Sequence, residues 1–236
     1  MACVLALDTS ALATSVAICD GPRVLAEEDS HDSSARHAER LLPSIERCLG
    51  RARLALGDID VIGVSIGPGS FTGVRVGLAT AKGLALSLGK PVSGVVSLEA
   101  LAVSAREHGP LLAPVLDAFK GEVFAGLYRV SQDGLECVSA PFHASAAHAL
   151  SRLQSAAGGQ PWALLGAGYR RHTAQFGGLP PGVAALSEAF DVPRARHVAE
   201  LVVRAHARGE ESDLAALAPL YVRDSDAQLP KVPLRL

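Results

Sequence analysis

The chain has 236 residues, a length that suits one large domain or two closely packed lobes. Hydrophobic residues make up 49% and aromatics only 4%, so the core is expected to be built from Ala, Val and Leu. A formal net charge of −2 and a pI near 6.4 exclude a surface coated for nucleic acid.

MACVLALDTS at the N-terminus has no basic residue before its apolar run and no polar spacer, unlike a signal peptide. No window reaches the ~18 uninterrupted apolar residues of a membrane span. The cysteines at 3, 19, 48 and 137 stand singly, three of them inside apolar runs. That is the pattern of buried free thiols in a reducing compartment, so a cytoplasmic protein is expected.

Taken in order, CVLALD (3–8) and TSVAICDG (14–21) read as an antiparallel hairpin, with RVLAEED (23–29) as a third strand. HAERLLPSIERCLGRA (37–52) places Ala38, Leu41, Leu42, Ile45, Cys48 and Leu49 on one helical face. DVIGVSIG (60–67) is a buried strand, followed by the turn GPGSFTG and a helix from about Val74. PVSGVVS (91–97) is another strand, and SLEALAVSAREH a helix with Ser97 as N-cap.

After Pro110 the pattern restarts. LLAPVLD ends in Asp117 as CVLALD ends in Asp8, and GEVFAGLYRV follows as TSVAICDG does, which suggests an internal duplication. A strand near 135–140, a helix in SAAHALSRLQSA, a strand WALLG (162–166), a Gly/Pro-rich connection (177–182) and a helix at about 194–208 complete the second half. The expected architecture is α/β, two related lobes with mixed sheets and flanking helices. The boundaries are 1–108 for the N-terminal lobe, 109–220 for the C-terminal lobe, and 221–236 for a proline-punctuated tail that is partly ordered at best.

Two readings stay open for Asp8, Thr9 and Ser10. They could hold a magnesium-bound phosphate, or form an Asx or Ser/Thr turn closing a hairpin. GPGSFTG lacks the lysine and hydroxyl of a P-loop, so it reads as a tight strand-to-helix connection or an unspecific anion site. Asp117 and Lys120 either touch a ligand in an inter-lobe cleft or close their hairpin with a salt link. GAGYRRH is a degraded nucleotide loop or a surface loop. No two of the eight histidines fall three or four apart, and they read as isolated surface residues rather than metal ligands.

LALDTS…TSVA, HAERLLPSI, GPGSFTGVRVGLATAKGLA, GVVSLEALA, DAFKGEVFAGLY and PLYVRD, in this order, resemble the YeaZ (TsaB) family of bacterial tRNA threonylcarbamoyladenosine biosynthesis proteins. The resemblance is strong over residues 3 to 130 and thin beyond. It implies an actin-like ATPase superfamily fold of two ribonuclease-H-like lobes. It also implies a scaffold or activating subunit, not catalytic alone, in the complex that transfers a threonylcarbamoyl group to the adenosine beside the anticodon of ANN-decoding tRNAs. The implied partners are a TsaD-like catalytic subunit, a TsaE-like ATPase, and a second copy when the chain is isolated. Transfer RNA would be met only through the complex. No cofactor would be tightly bound, beyond weak ATP or ADP at the partner interface with Asp8, Thr9 and Ser10 as its candidate ligands. In the catalytic relative two histidines spaced H-x-x-x-H bind a metal; here Ser97 and Leu101 stand in their place, with Glu99 between. The alternative is an autonomous actin-like-fold ATPase or metallopeptidase.

The helix after GPGSFTG has one apolar stripe at Val74, Leu78, Ala81, Ala85 and Leu88, and a second side with Gly77, Ala79, Gly83 and Leu86. Two apolar sides suggest helices on both, and a four-helix bundle shared with a partner is expected. Leu41, Leu42, Ile45, Phe71, Val74, Arg75, Leu78, Ala81, Lys82 and Ala85 are its candidate interface residues, with Phe71 and Arg75 at the rim.

Overall fold

The computed structural model describes residues 2–30, 37–132 and 134–223; the end of the expected tail, 224–236, lies outside them, as does His31. The first half runs β1 (Cys3–Asp8), β2 (Thr14–Asp20), β3 (Arg23–Ser30), α1 (His37–Ala52), β4 (Val61–Gly67), α2 (Phe71–Leu88), β5 (Val92–Val96) and α3 (Ser97–Ser104). The second runs β6 (Leu111–Asp117), β7 (Glu122–Ser131), β8 (Gly134–Ser145), α4 (Ala146–Ala157), β9 (Trp162–Leu165), α5 (Ala167–Arg171), α6 (Thr173–Phe176), β10 (Val183–Ala185) and α7 (Ala195–Ala207).

Each half builds a five-stranded sheet of one design. The orders are β3-β2-β1-β4-β5 and β8-β7-β6-β9-β10. In both, the first three strands are antiparallel and the last two join the first in parallel. The duplication expected from the two Asp-terminated hairpins is therefore the plan of the molecule.

Alternation within the strands divides the core. Leu5, Leu7, Val16, Ile18, Ile62 and Val64 point to one face of the first sheet, where α1 and α2 supply Leu41, Ile45, Cys48, Leu78, Ala81 and Ala85. Val4, Ala6, Ala17, Cys19 and Val61 point to the other face and meet Ala195, Val198, Ala199 and Val202 of α7. Strands covered on both faces read as continuous apolar runs, which is why CVLALD is hydrophobic throughout. Gly63 is required there, since a Cβ would press into Val202.

The covering helices are exchanged between the halves. α3 leaves β5 and packs on the second sheet, where Leu98, Leu101 and Ala102 join Leu112, Leu116 and Phe124. α7 leaves β10 and packs on the first sheet, touching α3 on the way. α7, which lies within the expected 109–220 lobe, thus covers the sheet of the other half. The apolar stripe of α7 fills a sheet face that its own half does not supply, and Leu214 and Leu217 return to the first core as well.

Smaller corrections concern helix ends and thiols. α2 begins at Phe71 rather than Val74, because the Ser70 side chain accepts the Gly73 N–H at 3.2 Å and caps the helix there. Gly89, at φ 63°, ends it in the left-handed conformation. Ser97 is not the cap of α3: Val96 holds that position, and the Ser97 hydroxyl is buried without a hydrogen-bond partner among the described residues. β10 is three residues long and directly follows the Gly/Pro-rich connection, too short to announce itself by alternation. Cys19 and Cys48 are buried free thiols, whereas Cys137 is exposed on β8.

Candidate functional site

At the carboxyl end of β1 the polar side chains turn inward. Asp8 Oδ1 accepts the Ser10 backbone N–H at 3.0 Å and the Ser10 hydroxyl at 2.9 Å, while Oδ2 accepts the Ser65 hydroxyl. The Thr9 hydroxyl donates to the Gly73 carbonyl at 2.7 Å, and the Ser70 N–H to the Ser10 carbonyl at 2.7 Å. Asp8, Thr9 and Ser10 are all buried. Burial pushes the Asp8 carboxyl above the usual range, against the opposing hydrogen bonds from Ser65 and Ser10. The glycines of GPGSFTGVRVG make this closeness possible. A Cβ at Gly69 or Gly73 would collide with the carbonyl of Ser10 or Thr9, and one at Gly77 with the Thr9 hydroxyl. The local geometry is an Asx turn clamped under the first turns of α2. These three residues would meet a ligand only if that network opened.

The matching end of β6 is arranged differently. Asp117 Oδ1 accepts the Phe119 N–H at 3.1 Å and lies 2.8 Å from His172 Nε2; Oδ2 lies 3.0 Å from Arg171 Nη1. Phe119, Lys120 and Gly121 all have positive φ, and the reversal is tight. GAGYRRH is not a free surface loop, since it forms α5 and packs on the end of β6. Gly166 and Gly168 press on Val115 and Leu116, and the Arg171–His172 pair closes on Asp117. Asp117 finds an ion pair on α5, with Arg171.

Two histidines depart from the surface reading. His172 is buried against Asp117, and burial of His197 on α7, reinforced by Arg196, holds its imidazole down to about 4. The signal for His172 was available: an acid ending a strand and an Arg-Arg-His run following a Gly-x-Gly turn.

Between the lobes lies a cleft of about 650 Å³, walled by the Pro68–Arg75 turn, the β6–β7 turn and residues 219–223. Phe71, Phe119 and Tyr221 are half-exposed around it. The Arg75 guanidinium lies 3.7 Å from the centre of the Phe71 ring, and its Nε donates to the Tyr221 hydroxyl at 2.8 Å. Sequence reading misses Tyr221 because it sits in a stretch that looks like a tail.

The expected interface residues fall into two groups. Leu41, Ile45, Val74, Leu78, Ala81 and Ala85 are buried in the chain's own core, which corrects their assignment to a partner contact. The Val74–Leu78–Ala81–Ala85 stripe is the face that α2 turns to its sheet. Leu42, Phe71 and Arg75 are exposed, and Lys82 is half-buried with Nζ donating to the Leu217 carbonyl at 3.0 Å. Outward on α2 lie Thr72, Ala79, Gly83 and Leu86, the last 75% exposed.

Ser97 and Leu101 are fully buried at the head of α3, and burial raises the Glu99 carboxyl between them, with Arg208 opposing. Among the described residues no three His, Cys, Asp or Glu side chains gather as metal ligands, and no helix is long and apolar enough to cross a membrane.

Residues 30–231 match the family described as TsaD, tRNA N6-adenosine threonylcarbamoyltransferase. The tRNA threonylcarbamoyladenosine biosynthesis protein TsaB of Escherichia coli is 29% identical over 95% of this chain and 96% of its own. TsaB of Bacillus subtilis is 39% identical, but the match spans 57% of this chain and only 58% of that relative. The solved structure of YeaZ from Pseudomonas aeruginosa superposes with a TM-score of 0.81 at 30% identity, covering 94% of this chain and all of that one. An inorganic polyphosphate/ATP-glucomannokinase from Arthrobacter, at 12% identity and a TM-score of 0.53 over 87% of this chain and all of the other, shares the fold alone. The actin-like class of two ribonuclease-H-like lobes is thereby established. With its GPGSFTG turn clamped on β1, its paired sheets and these matches, the chain belongs to the TsaB (YeaZ) family.

Proposed function

We propose that this chain serves tRNA threonylcarbamoyladenosine biosynthesis as a cytoplasmic scaffold and activating subunit. It pairs with a TsaD-like catalytic subunit, which transfers the threonylcarbamoyl group to the adenosine beside the anticodon, and it works alongside a TsaE-like ATPase. The observation that carries this reading is the head of α3. Ser97 and Leu101, at the place of the catalytic relative's two histidines, are a hydroxyl and an isobutyl group packed into the core. Neither replaces an imidazole as a ligand of iron or zinc. The alternative of an autonomous metallopeptidase lacks its ligands at that place, and an autonomous ATPase would need the Asp8 network to open.

Support for a partner comes from the outward side of α2, where Ala79, Gly83 and Leu86 are exposed, as is Leu42 on the neighbouring α1. Small residues let a second backbone approach, and exposed leucines supply apolar area for a helical bundle. A second copy would use the same face in the isolated chain, so homodimer and heterodimer compete. ATP or ADP would bind weakly, at the junction with the partner, through Asp8, Thr9 and Ser10 once the partner has opened their network. Transfer RNA would be held by the complex, since a chain of net charge −2 has no excess of positive charge to neutralise phosphates.

Sedimentation of the chain with and without the TsaD-like subunit tests the pairing. A 1:1 complex should form at the expense of homodimer, and Leu86→Glu, on the exposed face, should weaken both by tenfold or more while the monomer stays folded. Unchanged association of the variant would remove this face from the interface.

A further inference from the structure

The stretch that follows α7 reads as a tail from its prolines, yet it crosses the whole molecule. The Ser212 N–H donates to the Val92 carbonyl at 2.9 Å and the Ser212 hydroxyl accepts the Gly94 N–H at 3.0 Å, so the segment starts as a short antiparallel bridge on the edge of β5. Leu214 and Leu217 then pack into the first core, and Lys82 Nζ holds the Leu217 carbonyl. The Leu220 N–H donates to the Ile66 carbonyl at 2.7 Å, at the end of β4. Tyr221 lies with its ring centre 5.6 Å from that of Phe71 and its hydroxyl bonded to Arg75. Beyond that point the partners belong to the second lobe. Val222 packs against the cluster that contains Leu116, Ala118 and Phe124, and Arg223 donates to the Ala118 carbonyl at 3.2 Å and lies 3.7 Å from Glu122.

We propose that residues 212–223 are a strap that ties the two lobes together, sets the opening of the cleft, and is released from its far end, with Tyr221 as the latch. The anchoring is graded along the strap. Its first half is held by an edge-strand bridge, two partly buried leucines packed against the first core and the Lys82 bond to the Leu217 carbonyl, several contacts that must break together. Its second half keeps one backbone hydrogen bond, from Leu220 to Ile66, and the partly buried Val222, but is otherwise held by side-chain contacts at the surface: the half-exposed Tyr221 ring, its bond to Arg75 and the Arg223 contacts, each of them weak in water. Segments held in this way open locally without global unfolding. Pro219, Leu220, Tyr221, Val222 and Arg223 form one wall of the 650 Å³ cleft, so release of the far end removes that wall and bares Phe71 and Phe124. Residues Phe71, Arg75 and Lys82 of α2 all border the strap or hold it, so a molecule that shifts the exposed side of α2 acts on the cleft through Tyr221.

Hydrogen exchange on the full chain, read amide by amide, tests this. Tyr221→Ala removes both ring and hydroxyl; the Leu220 N–H should then exchange roughly three- to tenfold faster, together with the amides of the 118–124 turn. The Ser212 N–H should keep its wild-type rate. Tyr221→Phe keeps the ring, folds with the least disturbance, and should show a smaller acceleration at the same amides. Equal acceleration at Ser212 and Leu220 would mean that the segment leaves as one unit and would overturn the graded release. An unchanged Leu220 rate in both variants would overturn the latch.

Discussion

At the end of β1, Asp8 is sealed beneath α2 and bonded to two hydroxyls and one backbone N–H; at the end of β6, Asp117 sits beside an arginine and a histidine. The two acids occupy equivalent places in one duplicated plan. Their fates are decided by the helix that leaves each neighbouring parallel strand. After β4 comes an unbroken helix of 18 residues, whose glycines let its backbone settle on Thr9 and Ser10. After β9 come two short helices of 5 and 4 residues, and the break between them delivers His172 to Asp117. Duplication preserved the sheets, whose strands are fixed by two-sided burial, and let the turns diverge, because a turn answers only to its own contacts.

Breaking the first of these turns should have the largest effect. Gly73→Val places a branched side chain against the Thr9 carbonyl and should cost about 3 kcal/mol or more, read as a fall in the urea midpoint or as loss of soluble protein. Leu78→Asp should be as severe, since it buries an unpaired charge in the protomer's core rather than in a partner contact. A folded, monomeric Leu78→Asp chain would restore the interface assignment that the burial of this residue corrects.

The two acids should separate at the next level. Asp117→Asn weakens the hold on Arg171 and His172 and should cost about 1–3 kcal/mol at neutral pH. Asp8→Asn should cost less or even stabilise. A carboxyl whose folded pKa is raised binds its proton more tightly folded than unfolded. Its contribution is fully present below the unfolded value of about 3.8 and is lost as the pH rises through the raised value. Denaturant titrations from acid to neutral pH should show this loss in the parent chain and a flatter profile in Asp8→Asn. An identical slope in both would mean that Asp8 is ionised where it lies.

The smallest effect belongs to the outward side of α2. Gly83 is a helical glycine on open surface, and a methyl group added there would meet nothing within 4 Å, so Gly83→Ala should stabilise the isolated chain by about 0.5–1 kcal/mol. Its thermal midpoint should rise accordingly. The same substitution should reduce pairing with a second chain if a backbone packs closely there, which sets helix propensity against the interface at one residue.

Much of the fold is legible in the residues. Asp-terminated apolar runs mark both hairpins, and their repetition marks the two lobes, because fully covered strands announce themselves in composition. The turn GPGSFTG is legible as a close approach of backbone, since three glycines within seven residues have few other uses. The exchange of α3 and α7 is not. An apolar stripe such as Ala195–Val198–Ala199–Val202 states that a helix is covered, but nothing in it names the sheet. For the same reason the sequence misassigns the face of α2 that meets the core to a partner: both faces are apolar, and only packing separates Leu78 from Leu86. The strap is hidden by Pro219 and the prolines that follow it in sequence, although Leu214, Leu217 and Leu220 recur at steps of three along it.

Reconstituted threonylcarbamoyl transfer tests the proposed function most directly. The TsaD-like subunit, the ATPase, threonylcarbamoyl-adenylate and an ANN-decoding tRNA would be combined with and without this chain, and modified adenosine measured. A scaffold and activating subunit should yield negligible product alone, strong stimulation when it joins the catalytic subunit, and loss of that stimulation with Leu86→Glu. Product formed by this chain without the catalytic subunit, or full activity of that subunit without this chain, would contradict that role.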